Sequence, residues 1–145
     1  MSIGIRNFFR MSADVPVAAS TVLVTTGLKS PIAANQSQKI RVWLPFTVGA
    51  TGGLKIQVVV PAGGTLFNAT IMLVDTVTPA ITTAIQNSSA AFSNALAAAG
   101  QHWIAIEAFI INGTTAGNVD IQIACNSAAN AITALKGGSM DVIKL

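Results

Sequence analysis

The sequence predicts an all-β protein, a single antiparallel β-sandwich of jelly-roll type. Apolar and polar residues alternate with a period of two in several segments, as they do in strands that have one buried face. Clusters of Gly, Pro and Asn separate these segments, which gives about eight short strands at regular spacing. A chain of 145 residues is large enough to form one domain with its own core.

The clearest alternation lies between Gln38 and Val60 and is interrupted by the glycine-rich stretch Gly49–Gly53. We therefore predict a β-hairpin with one face in the core. Pro45 cannot donate a hydrogen bond to a neighbouring strand, which favours an edge strand or a bulge at that point. The opposite face of the hairpin gathers much of the scarce positive charge of the chain beside a tryptophan: Lys39, Arg41, Trp43, Thr47 and Lys55.

Alternation and turn-forming residues also predict the structure of the other segments. Ser20–Thr26 is rich in β-branched residues and is expected to end at Gly27, before a loop at Pro31–Asn35. The alanine-rich segment Ser88–Gly100 is expected to be a loop or a short helix. His102–Ile111 is apolar on both faces, which predicts a strand that is central in its sheet or partly covered by another subunit. Further strands are predicted at residues 66–74, 80–86, 118–125, 131–135 and 139–145.

The first 17 residues do not alternate, so we predict an N-terminal arm (residues 1–17) followed by the sandwich domain (residues 18–145). Apolar side chains are mixed with positive charge in this arm, which contains Ile5, Phe8, Phe9 and Arg10. Two alternatives are open for such a segment. It packs on its own domain, or it reaches a neighbouring subunit.

The composition favours assembly with other chains. Charged residues make up 9% of the sequence, against about 25% in an average domain. An apolar, weakly charged surface is typical of an oligomer interface. The net charge of +3 is dispersed along the chain and forms no basic stripe, so nucleic-acid binding is not predicted. No apolar run reaches the roughly 20 residues of a membrane-spanning helix, and no secretory leader is recognisable, so we expect synthesis in a cytoplasm.

Residue types that carry chemistry are few. Cys125 and His102 are the only residues of their kinds, which makes an ordinary zinc site or a catalytic thiol implausible. Cys125 is expected to be a buried, inert side chain. Glu107 is the best candidate for a perturbed carboxylate, and a salt bridge or interface contact is its expected role. Trp103 either packs in a core or interface or, with His102, lines a sugar-binding surface. We predict no enzyme activity and no cofactor.

Several short segments resemble small virion proteins of tailed bacteriophages. In that group a "TADV" start and a "TGL…PVAAN" loop precede the first long strand, and the matching residues here are Ser12–Val15, Thr26–Leu28 and Pro31–Asn35. Later segments with the same resemblance are Glu107–Ile111, Gly117–Gln122 and Gly138–Val142. The resemblance extends over most of residues 12–145.

This resemblance implies a β-sandwich component of a virion, exposed on a head or tail and often trimeric, with no catalytic residues. The leading hypothesis is a capsid decoration (cement) protein that binds the major capsid protein, forms a homotrimer, and lies on the virion surface after assembly in the host cytoplasm. The alternative is a tail or fibre-tip module that binds host glycan. The candidate contact residues are Ile5, Phe8, Phe9, Arg10, Arg41, Trp43 and Trp103.

Overall fold

The computed structural model describes residues 4–49, 52–96 and 99–145. In these ranges the chain forms two antiparallel sheets and no helix, so none that could span a membrane. The predicted all-β sandwich is confirmed. Its strands are β1 (Arg6–Arg10), β2 (Val15–Ala18), β3 (Val24–Ile32), β4 (Ser37–Val48), β5 (Gly52–Val59), β6 (Thr65–Asp75), β7 (Ala80–Gln86), β8 (Phe92–Leu96), β9 (Gly100–Ile111), β10 (Gly117–Cys125), β11 (Ala131–Ala134) and β12 (Ser139–Lys144).

The larger sheet has the strand order β1-β12-β4-β9-β6-β7, with β11 beside β4 and β2 beside β11. The smaller sheet has the order β3-β10-β5-β8. From β3 to β10 the chain passes back and forth between the two sheets, and only β6 and β7 are consecutive neighbours. This alternation accords with the predicted jelly-roll topology, which stays a prediction beyond the confirmed sandwich.

The predicted hairpin between Gln38 and Val60 is wrong. Both strands exist, but β4 lies in the larger sheet and β5 in the smaller one. β4 pairs with β9, β11 and β12, while β5 pairs with β8 and β10. The alternation of apolar and polar residues shows which side chains face the core. Two paired strands and two strands that face each other across a sandwich show the same alternation, so the pattern does not distinguish them.

The prediction that Pro45 marks an edge or a bulge is also wrong, because β4 is a central strand. Pro45 lies opposite Trp103 of β9, in an uninterrupted register. On its other side the neighbouring strand changes at this point: the β12 ladder ends at Trp43 and the β11 ladder begins at Phe46. The missing N–H therefore falls in the gap between two partners, while the Pro45 carbonyl accepts a hydrogen bond from the Leu135 N–H at 2.9 Å.

Two irregularities shift strands relative to the sequence pattern. Gly27, with φ of +85°, does not end a strand but lies inside β3, where the register with β10 slips. Asn68, with φ of +48°, lies at a similar irregularity in β6, between Phe67 and Thr70. Such bulges reverse the faces of all residues on one side of them. The strand predicted at residues 66–74 is therefore present, but its alternation is interrupted at Asn68.

The N-terminal residues form part of the larger sheet in this chain. β1 pairs with β12 and β2 with β11, and the side chains of Met11 and Val17 lie in the core. Of the two alternatives for this segment, packing on its own domain is the one seen here. β2 extends across the predicted boundary between residues 17 and 18.

Ser88–Gly100, expected to be a loop or a helix, instead contains β8, an edge strand of the smaller sheet. Phe92 and Leu96 of β8 are both buried, and their spacing of four fits either a helix or a strand. By contrast, β9 occupies the predicted central position, between β4 and β6. Its inward face is buried throughout and consists of His102, Ile104, Ile106, Ala108 and Ile110.

Candidate functional site: the outer face of the larger sheet

The outer face is the side of the larger sheet that points away from the smaller sheet. Because directly paired residues lie on the same side, the strand registers align the outward side chains in rows. One row contains Phe8, Asp141, Arg41, Glu107, Thr70 and Ile85. The next contains Arg10, Ser139, Trp43, Ala105, Met72 and Thr83, and a third contains Pro45, Trp103, Val74 and Ile81.

Exposed apolar side chains are concentrated on this face. Of the ten large apolar residues exposed in the described part of the chain, six belong to it: Phe8, Trp43, Phe67, Ile81, Ile85 and Ile111. Ile85 is 74% exposed and Phe8 is 67% exposed. Single exposed apolar residues are ordinary, but a concentration on one face marks an interaction surface.

Trp43 and Trp103 form a stacked pair near the middle of the outer face. Their ring centroids are 4.3 Å apart and their planes differ by 18°. Trp43 on β4 pairs with Ala105 of β9, so Trp103 is its diagonal neighbour, a distance that aromatic side chains bridge. Trp43 stays half exposed, whereas Trp103 is partly buried. The pair provides a rigid aromatic anchor with one accessible ring.

Ion pairs lie beside this anchor. The Glu107 carboxylate accepts from Lys39 Nζ at 2.7 Å and from Arg41 Nε at 2.8 Å. These contacts, with Lys39 as the leading cause, hold the pKa of Glu107 below its usual value. The predicted salt bridge of Glu107 is confirmed, and it spans the β4–β9 pair.

A second ion pair ties the N-terminal strand to the last one. Arg6 contacts Asp141 with two nitrogens, Nε at 2.8 Å and Nη2 at 2.6 Å. The hydrogen bond from Arg6 is the main reason that the pKa of Asp141 is lowered, and the same contact raises the pKa of Arg6. The charges of this face are therefore largely paired with one another.

The positive cluster expected on the back of the hairpin is only partly present. Lys39 and Arg41 are on the outer face, but both are paired with Glu107. Lys55 belongs to β5 of the smaller sheet, where its Nζ reaches the Thr21 carbonyl at 3.4 Å. Because the hairpin does not form, the five residues do not share one surface, and that part of the prediction is wrong.

The structure brings together most of the candidate contact residues. Five of them lie on the outer face: Phe8, Arg10, Arg41, Trp43 and Trp103. Phe9 points the other way and packs against the core, and Ile5 is exposed just before β1. Sequence reasoning missed Phe67, Ile81 and Ile85. For β7, the sequence signal was the pair Ile81 and Ile85, which lie four positions apart and so on one face of a strand that has no charge.

The buried polar residues offer no second site. His102 is fully buried, with Nδ1 3.2 Å from Asp75 Oδ1, so its imidazole does not line a surface beside Trp103 as one alternative required. Asp75 accepts a hydrogen bond from the Thr78 hydroxyl at 2.6 Å, the leading cause of its lowered pKa. Cys125 is buried as predicted, with Sγ 3.0 Å from the Asn130 carbonyl oxygen. Within the described ranges no cluster of three metal-ligating side chains occurs.

No protein-family model matches the chain, and no curated protein matches it. Among solved structures it is similar to the CBM22-1–GH10 modules of the N-terminal endo-1,4-β-D-xylanase 10B from Clostridium thermocellum, complexed with xylohexaose. That similarity has 13% identity and a TM-score of 0.33, and it covers 100% of this chain and 29% of that chain.

The chain is also weakly similar to capsid proteins of infectious bursal disease virus. The VP2 subviral particle gives 14% identity and a TM-score of 0.26, covering 97% of this chain and 37% of that chain. The Gx strain gives 13% identity and a TM-score of 0.25, covering 97% and 39%. The chain thus spans well under half the length of these proteins. At such TM-scores the similarity carries no functional argument.

Proposed function

We propose that this chain is a non-enzymatic structural protein of a tailed-bacteriophage virion, most specifically a decoration (cement) protein that binds and stabilises the major capsid shell. The observation that carries a docking role is the outer face, with its concentrated apolar side chains and its Trp43–Trp103 pair. The bacteriophage context is supported by the resemblance of the segments between Ser12 and Val142.

The composition of the outer face suits a protein partner. Interface energy is usually concentrated in a few residues, among which Trp and Arg are over-represented. Trp43, Trp103 and Arg41 lie together here, and the apolar residues Ala105, Met72 and Val74 lie beside the two tryptophans. Because Arg41 and Lys39 are already paired with Glu107, a capsid subunit that covers this part of the face buries neither of these two charges without a partner.

The protein binds the major capsid protein or another virion protein and associates with copies of itself, a trimer being favoured by the resemblance. It lies on the surface of the capsid or tail after assembly in the host cytoplasm. It needs no cofactor, metal or small-molecule substrate, and it binds neither nucleic acid nor a membrane.

Cosedimentation with capsid shells that lack the decoration protein tests this proposal. The full chain is expected to pellet with the shells in a saturable manner and to raise the temperature at which they rupture. Trp43→Ala should weaken binding at least about tenfold if Trp43 is a central contact. Val22→Ala is the matched control, because Val22 is 69% exposed but precedes β3, away from the outer face. Equal binding by both variants would contradict the proposed face.

A second candidate function is recognition of a host-surface glycan at a tail or fibre tip. The specific observation is that the stacked tryptophans border a shallow depression with polar residues at its edge. It is lined by Trp43, Pro45, Thr76, Gln101 and Trp103, and also by His102, which is itself buried. Aromatic faces bordered by polar groups suit sugars. Binding on a broad glycan array, lost in Trp43→Ala, would favour this function. Absence of any signal together with capsid binding would reject it.

A further inference from the structure

β7 is an edge strand with an unusual composition. It forms one border of the larger sheet, and among the described strands it pairs only with β6. Six of its seven residues are Ala, Ile or Thr and the seventh is Gln86, so it carries no charge. Ile81 is 65% exposed and Ile85 is 74% exposed. A free edge offers unpaired N–H and C=O groups to another strand, and an apolar edge of this kind invites pairing.

The other strands with a free edge in the described ranges are protected. β1 carries Arg6 and Arg10, and β3 carries Lys29 and Pro31. β2 is four residues long and contains a proline, and β8 is five residues long. Charge, proline and short length are the ways in which proteins prevent edge-to-edge association. β7 has none of them.

The absence of charge extends beyond β7. The sequence from Thr76 to Gln101 contains no Asp, Glu, Lys or Arg. An average domain would place about six charged residues in a segment of this length. The segment includes both β7 and β8, the edge strand of the smaller sheet. Both edge strands that this segment forms are therefore uncharged, and no like charges within β7 oppose the approach of a second copy of it.

The residue order in β7 is self-complementary. When two copies of the strand run antiparallel with Thr83 opposite Thr83, Ile81 of each copy lies opposite Ile85 of the other. All three of these side chains are on the outer face, since they pair with Val74, Met72 and Thr70 of β6. Residues directly opposite each other have Cβ atoms about 5 Å apart, so both pairs of isoleucines would be in contact. A slip of one residue would turn one copy's side chains to the wrong face.

We propose that β7 binds β7 of a second copy of this chain in this register, around a two-fold axis through Thr83. The contact joins the two larger sheets into one and places both outer faces on the same side. It is isologous, so the assembly contains an even number of chains. A trimer alone has no such axis. This contact therefore predicts a dimer, or a hexamer if threefold contacts form as well, and it does not depend on capsid binding.

Paired substitutions test both the contact and its register by sedimentation velocity. The wild-type chain should sediment as an even-numbered species, and Ile81→Lys or Ile85→Glu alone should raise the dissociation constant at least about tenfold. The double variant should regain association, because each new lysine faces the new glutamate of the other copy. Within one copy the two positions are about 13 Å apart along the strand, too far for an internal ion pair. Val22→Lys, at an equally exposed position, should leave association unchanged.

Cysteine cross-linking supplies a second readout. Thr83→Cys should form a disulfide-linked dimer under mild oxidation, since position 83 lies opposite itself. Ile81→Cys should not, because its counterpart lies about 13 Å away, whereas Ile81→Cys with Ile85→Cys should. The native Cys125 is buried and does not interfere. A monomeric or purely trimeric wild type, or equal cross-linking at positions 81 and 83, would overturn the proposal.

Discussion

The stacking of Trp43 on Trp103 should give a coupling free energy that a double-mutant cycle can measure. Trp43→Ala, Trp103→Ala and the double variant are compared with the wild type by urea unfolding. Stacked aromatic pairs contribute about 0.5–1.5 kcal/mol beyond the area that they bury, and a centroid distance of 4.3 Å with nearly parallel planes fits that range. We therefore expect a coupling free energy of about 1 kcal/mol. In a domain of this size such a change corresponds to roughly 3 °C in melting temperature.

The single substitutions should differ in cost. Trp103 is the more buried partner, so Trp103→Ala should lower the free energy of unfolding more than Trp43→Ala does. The chain has two tryptophans and no tyrosine, so near-ultraviolet circular dichroism and fluorescence report largely on this pair. A coupling below about 0.3 kcal/mol, within the error of additivity, would show that the rings do not stack in solution.

Three further predictions concern stability and reactivity. Since the pKa values of Asp141 and Glu107 are lowered in the folded state, the stability that they contribute is present above about pH 4 and lost as the pH falls through their folded values. Asp141→Asn and Glu107→Gln should therefore reduce the fall in the free energy of unfolding at acid pH, measured from urea unfolding curves at several pH values. Ile104→Ala, in the fully buried core, should cost about 2–5 kcal/mol, whereas Ile111→Ala, half exposed, should cost clearly less by the same assay. Cys125 should react with a thiol reagent only after denaturant unfolds the chain, and rapid labelling of the native protein would contradict its burial.

The inward faces of the strands could be predicted from the sequence because burial alone produces the alternation. In β9 every second residue from His102 to Ile110 is buried, as the pattern indicated. The partners of each strand could not be predicted in the same way. β4 and β5 are adjacent in sequence and alternate in phase, yet they lie in different sheets. Hydrophobic periodicity contains no information on which strand accepts the hydrogen bonds of another.

Only some residues of the candidate site could be predicted from the sequence, and its geometry could not. Trp43 and Trp103 were each recognised as candidate contacts, and their stacking follows from the β4–β9 register, which fixes neighbours 60 positions apart. Phe67 could not be placed on the outer face from alternation alone, because the irregularity at Asn68 changes the phase of β6. A positive φ at a residue other than glycine cannot be predicted from a single sequence.

The decisive measurement is an electron cryomicroscopy map of an intact bacteriophage particle assembled in the presence of this chain. Under the proposed function we expect density for the sandwich on the capsid surface, with the outer face of the larger sheet against the shell and Trp43 and Trp103 within the contact. Density in which this face is turned to solvent, or a particle from which the chain is absent, would contradict it.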